Sequence, residues 1–373
     1  KTLAEVKARG YLKCGVSDGL AGFSNPDAQG NWSGIDVDVC RAVAAAIFDD
    51  PNAVRYTSTT AKERFTALTK GEFDLLSRNT TITMQRDAGL GMEFTGVTYY
   101  DGQGFMINSK KLPGVNSALQ LSGAAICVQS GTTTELNLAD YFKANKMEYN
   151  PVVFEKFEEA NAAYDAGRCD AYTAGVGALA GQRIKLKVPD DHVVLSEQLI
   201  SNDPQGPTTR WGDERWQLIV RWVLNGTIAA EALGVTSKNV EEMKAKSANA
   251  EVRRLLGAEG KFGAMMGLSD DWMFNAIKHT ALRGKLVERV ALCGGSGAFL
   301  IGRARSGGAD AYVTADIKYH EFFGAEGQLL LADIGHYESE QFTMHLLQRH
   351  LRDKLPTFAA HLTETVTNPV HIC

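Results

Sequence analysis

Long apolar runs are missing from this chain: nothing approaches the roughly 18 consecutive apolar residues of a membrane-spanning helix, so no membrane span is expected. Basic runs are missing too. The 39 Lys and Arg against 44 Asp and Glu leave a formal charge of -5, and without a lysine- or arginine-rich patch nucleic acid is not expected as a partner. The six cysteines, at 14, 40, 127, 169, 293 and 373, include no Cys-x-x-Cys pair, which excludes a zinc ribbon and a thioredoxin-like motif. Proline is sparse, with 9 residues beside 37 Gly, and hydrophobic residues are 44% of the chain; that balance excludes a disordered or collagen-like protein. The N-terminus carries no basic-then-apolar signal region. The chain is therefore either cytoplasmic or exported with its signal already removed, and a start at Lys1 rather than Met fits the second expectation.

What is present is enough chain for several cores: 373 residues, at about 150 per domain, suggest two to three domains. Strand and helix signals alternate through the first 110 residues, the pattern of a sheet covered by helices. Tyr11 to Val16 reads as a strand, Val37 to Phe48 as an alanine-rich helix, Val54 to Thr57 as a strand, Ala61 to Thr69 as a helix and Phe73 to Leu76 as a strand. A similar unit follows from Phe105, with strands at Ala124 to Gln129, Val152 to Glu155 and Ala171 to Thr173 and helices opening at Thr132 and Ala160. From Trp216 the apolar spacing is helical, and short helices joined by glycines run to Leu268. After about Thr280 strand signals return at Arg289 to Cys293, Ala311, Leu329 and Leu362, so a third, α/β unit is expected. Cys14 with Cys40 and Cys127 with Cys169 could form two bridges, or all four could be buried thiols acting as small hydrophobes.

The successive phrases GVSDGLAGFS, GNWSGIDVDVCRAVAAAIF, AKERFTAL, LLSRNTTITMQRD, FTGVTYYDGQGF, CVQSGTTTELNLADYF and RWGDERWQLIVRW resemble the polar amino-acid-binding proteins of ABC importers, in their general amino-acid branch. The resemblance spans residues 1 to about 278. It implies an α/β, two-lobed periplasmic-binding-protein-like fold of type II, with lobe one at 1–105 plus 203–278 and lobe two at 106–202. It also implies an amino acid as ligand, an ABC permease as partner, a periplasmic location, no catalysis, and no cofactor for solute binding.

A free amino acid presents a carboxylate and an ammonium, so its site needs a fork of donors and an anion. Arg86, preceded by Asn79, Thr81 and Thr83, can supply the cation, or be a surface arginine. Thr132 and Thr133 open a helix whose free N–H groups and positive dipole end favour a carboxylate, though a threonine there can equally be a plain N-cap. Ser17, Asp18 and Leu20 follow the first strand at the mouth of the expected cleft. Tyr99 and Tyr100 can be packing residues or ligand contacts. One departure stands out: the family pattern places an ammonium-pairing aspartate five residues beyond the acid of Gly167-Arg168-Cys169-Asp170, and this chain has Gly175 there. Asp18 or another acid substitutes, or the ligand lacks an ordinary α-ammonium, or binding is lost, because an uncompensated buried ammonium is costly.

Residues 279–373 contain RVALCGGSGAFLIG, GADAYVTADIKYHEFF and LLLADIGHYESEQF, and resemble the C-terminal half of the dinuclear-metal-centre family, the NGG-interacting factor three proteins. In that resemblance the metal ligands are His336 and Glu340, an i, i+4 pair on one face of a helix start. The other family ligands include an adjacent histidine pair, and no His-His occurs in this chain. The expectation is therefore an incomplete divalent-metal site in a C-terminal α/β half-domain, with oligomerisation through that unit left open. The glycine run 294–297 reads as a tight turn rather than a phosphate cradle, since it lacks the Walker lysine, and Cys293 as a strand residue rather than a nucleophile. Both family patterns stop near Lys278, which suggests a fusion, engineered or produced by rearrangement or assembly error. A solute-binding protein is the leading reading. The alternative is a metal-binding hydrolase-like or scaffold protein acting through the C-terminal unit, which would be cytoplasmic.

Overall fold

The computed structural model describes residues 1–195, 199–279, 289–309, 311–317 and 329–333. His336, Glu340, Cys373 and the strand signal at Leu362 lie outside the described residues. The chain divides into two compact units, Lys1–Leu282 and Arg283–Cys373.

The first unit holds two five-stranded sheets of matching design. In one, Val54–Ser58, Leu12–Val16 and Leu75–Leu76 run parallel, followed by Thr208–Arg210 and Met92–Phe94. Thr208–Arg210 is antiparallel to both of its neighbours. In the other, Asn150–Phe154, Ala125–Gln129 and Ala171–Gly175 are parallel, and Gln103–Asn108 and His192–Leu195 complete the order antiparallel. Between the sheets the chain crosses twice, as Tyr99–Asp101 and Asp203–Gln205, which pair antiparallel with Asp101 opposite Asp203. The first sheet therefore takes one strand, Thr208–Arg210, from beyond the second crossing, whereas the second sheet is built wholly from the segment between the crossings.

The long helix Ile35–Phe48 shows why these residues form these elements. Its sequence, IDVDVCRAVAAAIF, has no glycine or proline and is rich in alanine, the strongest helix former. Asp36 and Asp38 sit in its first turn, where the macrodipole favours negative charge. Cys40, Val43 and Ala44 are buried with Leu12, Cys14 and Val16 of the first strand, and the Cys14–Cys40 disulfide ties helix to strand. The same device recurs in the second sheet, where Cys127 on the central strand is bonded to Cys169, just before the neighbouring strand. Of the two alternatives open for these four cysteines, the bridged one is observed. The bonds close loops with sequence separations of 26 and 42, which in the chain-entropy account stabilise by about 3.5 and 4 kcal/mol.

The core of the first lobe is completed from the far end of the unit. Helix Glu214–Ala232 is capped by Asp213, whose side chain accepts the Trp216 N–H at 3.2 Å and also the Thr2 N–H at 2.6 Å. Trp216 is 1% exposed, and its indole N–H donates to the Asp74 carbonyl at 2.9 Å. That one polar atom is thereby satisfied inside an otherwise apolar cluster. The final helix, Trp272–His279, packs on Ile35–Phe48 through Met273, Ala276 and Ile277.

In the second unit the strands Val290–Ser296, Ala311–Ala315 and Leu330–Asp333 form a parallel sheet in that order, with helix Ile301–Ser306 after the first strand. The expected turn at the glycine run is instead the irregular end of the strand: Gly294 and Gly295 lie within it at a register shift, and Gly297 just beyond it. Tyr312 donates its hydroxyl to the Gly297 carbonyl at 2.8 Å and Thr314 donates to the Gly295 carbonyl at 2.9 Å. A Cβ at Gly297 would lie 2.2 Å from Thr314 Oγ1. Cys293 is a free, partly buried strand residue.

Two outcomes follow from this architecture. Replacing Cys14 and Cys40 together by alanine is expected to lower unfolding free energy by about 3 kcal/mol in denaturant titration; unchanged stability would show that the bond does not constrain the chain. Asp36 is 4% exposed, and burial raises its carboxyl to about 6, against the opposing Asn79 N–H, Arg78, Ser77 and Arg64. A folded value above the unfolded one contributes stability that is complete below pH ~4 and is lost as pH rises through about 6. The melting temperature of Asp36→Asn, measured relative to wild type, should therefore improve between pH 4 and 7, and a pH-independent difference would contradict this.

Candidate functional site

The two sheets and the crossing strands enclose a polar cavity. Arg64, Arg78, Asn79 and Thr81 line it from the first lobe, Gln129, Thr132, Thr133, Thr134 and Gly175 from the second, and Asp203 and Gln205 from the crossing. The enclosed volume is about 40 Å³, room for one or two waters, so a larger molecule enters only when the lobes part. They meet closely: Thr133 Oγ1 donates to Thr81 Oγ1 at 3.4 Å, and Lys185 Nζ to the Gly19 carbonyl at 2.8 Å. Gly131, at φ +70°, comes so near the other lobe that a Cβ would sit 2.9 Å from Lys62 Cα. A side chain at that position would wedge the lobes apart.

The segment Ser77–Thr81 is positioned by buried charge. Asp36 accepts the Asn79 N–H at 2.8 Å and the Ser77 hydroxyl at 3.4 Å, holding Asn79 at a positive φ of 26°. Arg78 is 1% exposed and donates through Nε to the Thr59 carbonyl at 2.9 Å. Its Nη2 makes no hydrogen bond and lies 3.9 Å from Asp18, too far for one. Arg64, 2% exposed, reaches Thr80 Oγ1 at 3.3 Å, while its Nε has no partner. Arg86, 8% exposed, donates to the Thr81 carbonyl at 2.7 Å. The Phe65 ring lies near both Arg64 and Arg86, at 4.9 and 5.2 Å from their guanidinium carbons.

Burial pushes Arg78 and Arg86 each down to about 10, Asp18 and Asp36 opposing it for Arg78 and Asp203 for Arg86. Arg64 is depressed further, by burial first and then by the charges of Arg78 and Arg86. All three guanidiniums keep their protons at neutral pH because the group holds its charge so strongly. The wall therefore concentrates positive charge. Buried polar atoms without hydrogen bonds, Arg78 Nη2, Asn79 Oδ1, Gln129 Oε1 and Gln205 Oε1 among them, add donors and acceptors that a polar guest would satisfy, each costing about 1–3 kcal/mol while unmet.

Of the residues singled out from the sequence, Asn79, Thr81, Thr132 and Thr133 line the cavity together. Thr132 is also an N-cap, accepting the Glu135 N–H at 3.1 Å. Ser17, Asp18, Leu20 and Arg86 are not lining residues. Ser17 spends its N–H and hydroxyl on Ser24, at 3.0 and 2.7 Å. Leu20 is fully buried and bridges to Ser24. Asp18 faces Arg78, and neither of its carboxylate oxygens accepts a hydrogen bond. Arg86 sits behind Thr81, near Asp203. Tyr99 packs edge-on against Phe23, with centroids 5.2 Å apart, and Tyr100 is 79% exposed. Sequence reasoning passed over Arg64, Arg78, Asp203 and Gln205. Arg78 was legible as the residue before Asn79 at a strand end, whereas Arg64 lies in an ordinary helical stretch. His336 and Glu340 lie outside the described residues, and among those described no His, Cys, Asp and Glu cluster could hold a metal.

Two lobes of matching sheet order, joined by paired crossing strands over a charged cavity, define a type II two-lobed solute-binding protein. The chain belongs to the bacterial extracellular solute-binding proteins of family 3, whose model matches residues 12–250, and over 169–369 to the Duf34/NIF3 (NGG1p interacting factor 3) family. The two matches share 169–250, which lie in the first compact unit. The chain is 57% identical over 290 residues to a general L-amino acid-binding periplasmic protein of Rhizobium johnstonii, covering 77% of this chain and 84% of that one. It is 50% identical, with the same coverage, to a glutamate/glutamine/aspartate/asparagine-binding protein of Rhodobacter capsulatus. A solved structure of an ABC transporter periplasmic binding protein from Brucella ovis with glutathione bound is 62% identical, with a TM-score of 0.73 over 74% of this chain and 87% of that one.

Proposed function

We propose that the cavity captures a free amino acid, outside the cytoplasm, for delivery to an ABC permease. The observation that carries this reading is the pair of buried guanidiniums in the cavity lining, Arg64 and Arg78, whose Nε and Nη2 respectively have no hydrogen-bond acceptor among the described residues and call for an anion. The ligand carboxylate accepts from Arg78 Nη2, from Arg64 and from the first N–H groups of helix Thr133–Ala144, which have no intrahelical acceptor. Arg86 positions Thr81 and balances Asp203. Asn79, Thr81, Thr132 and Thr133 supply the remaining polar contacts. Closure of the lobes then presents one composite surface to the permease.

The Rhizobium and Rhodobacter relatives, named for the amino acids they bind, support the ligand class. Location outside the cytoplasm is supported by the two buried disulfides, since such bonds persist in oxidising compartments. Solute capture is binding without chemistry, so no cofactor and no catalysis are assigned to the first unit. For the C-terminal unit His336 and Glu340 offer two ligands of an incomplete metal site, and weak divalent-metal binding is the expectation.

Calorimetric titration with the twenty L-amino acids and glutathione, the molecule in the Brucella structure, tests the reading. Arg78→Gln should weaken the tightest amino acid about 100-fold, the loss typical of a charged bidentate contact, and Arg86→Ala should weaken it through Thr81. His336→Ala should leave affinity unchanged. Equal losses from Arg78→Gln and His336→Ala would overturn the assignment.

A further inference from the structure

We propose that Asp101, on the first crossing strand, provides the carboxylate that recognises the ligand ammonium, acting through the wall left bare by Gly175. The proposal rests on the amino-acid reading of the cavity and names the partner of the ligand's other charge. Gly175 lines the cavity and has no side chain to offer. Directly against it lies the Asp101 carboxylate: a Cβ at Gly175 would fall 2.2 Å from Asp101 Oδ2 and 2.9 Å from its Cγ. The carboxylate therefore fills the volume that a side chain at 175 would occupy.

The charge around Asp101 leaves it in need of a cation. Oδ1 accepts the N–H groups of Gly102 and Gly177 at 2.9 and 3.1 Å, the second at the start of helix Val176–Arg183. Oδ2 accepts only the Gln205 side-chain amide, at 3.2 Å. Across the crossing ladder the opposite residue is Asp203, and two carboxylates directly opposed repel. Arg86 draws the Asp203 carboxyl down, while Asp203 raises that of Asp101. Burial and Asp203 both raise the Asp101 carboxyl, against its backbone hydrogen bonds.

The cavity thus has two poles. Arg64 and Arg78 form the cationic one, and Asp203 in the lining, with Asp101 behind Gly175 and Gln205, forms the anionic one. A zwitterion spans them with its carboxylate toward the arginines and its ammonium toward Gly175. An aspartate at 175 is not needed for this, and as the chain stands its side chain would collide with Asp101.

Asp101 also holds the start of helix Val176–Arg183, so loss of affinity alone does not separate recognition from structure. The readout is therefore a ratio. L-Glutamate and L-2-hydroxyglutarate, which differ only in ammonium against hydroxyl, are titrated into the full chain by calorimetry. Wild type should favour glutamate by at least about tenfold, as a charge-assisted hydrogen bond supports, and Asp101→Asn should bring that ratio close to one. Combining Gly175→Asp with Asp101→Gly, which returns a carboxylate to the same volume, should restore it. Asp101→Asn that keeps the wild-type ratio would overturn the proposal alone, as would a double variant that stays indifferent. Binding of neither probe, nor of any of the twenty L-amino acids, by the wild type would overturn the amino-acid reading and this proposal with it.

Discussion

Buried positive charge is the constraint on which the first unit depends. Arg64, Arg78 and Arg86 are each under a tenth exposed and each depresses or is depressed by another. An isolated buried guanidinium is expensive, and a group of them persists only where the fold supplies anions and carbonyls. It does so from scattered places: Asp36 from the long helix, Asp18 from the loop after the first strand, Asp203 from the crossing, and the carbonyls of Thr59 and Thr81. The scaffold around that wall is correspondingly stiff, with a disulfide between the central strand and its covering helix, and Trp216 locked to Asp74.

The two ends of the chain obey different rules. The first unit spends its polar residues on one cavity. In the second, Tyr312 and Thr314 donate their hydroxyls to carbonyls of the glycine run. The family match to Duf34/NIF3 extends from 169 to 369, yet the compact second unit starts at Arg283. Function therefore has to be argued for each unit from its own residues. The charged cavity makes that argument for the first.

Much of the fold was legible because the local signals were strong. Alanine-rich spacing marked Ile35–Phe48, alternation of strand and helix signals marked the parallel strands, and the helix from Trp216 appears as Glu214–Ala232. The antiparallel strands were harder. Thr208–Arg210 and Met92–Phe94 are three residues each, too short for periodicity to register, and they become strands only through pairing across the sequence. The site divided in the same way. Thr132 and Thr133 announced themselves by opening a helix, and Gly175 by an absent side chain. Arg64 and Asp203 did not, because their role comes from burial beside residues far away in the chain.

Native mass spectrometry of the purified full chain tests the central claim most directly, because it reports small molecules and metals on one particle. The account predicts a folded chain carrying an adduct of amino-acid mass that is released when the chain is unfolded or when excess amino acid is exchanged against it. A chain that carries metal ions and no such adduct, even after incubation with the twenty L-amino acids, would contradict it and transfer the function to the C-terminal unit.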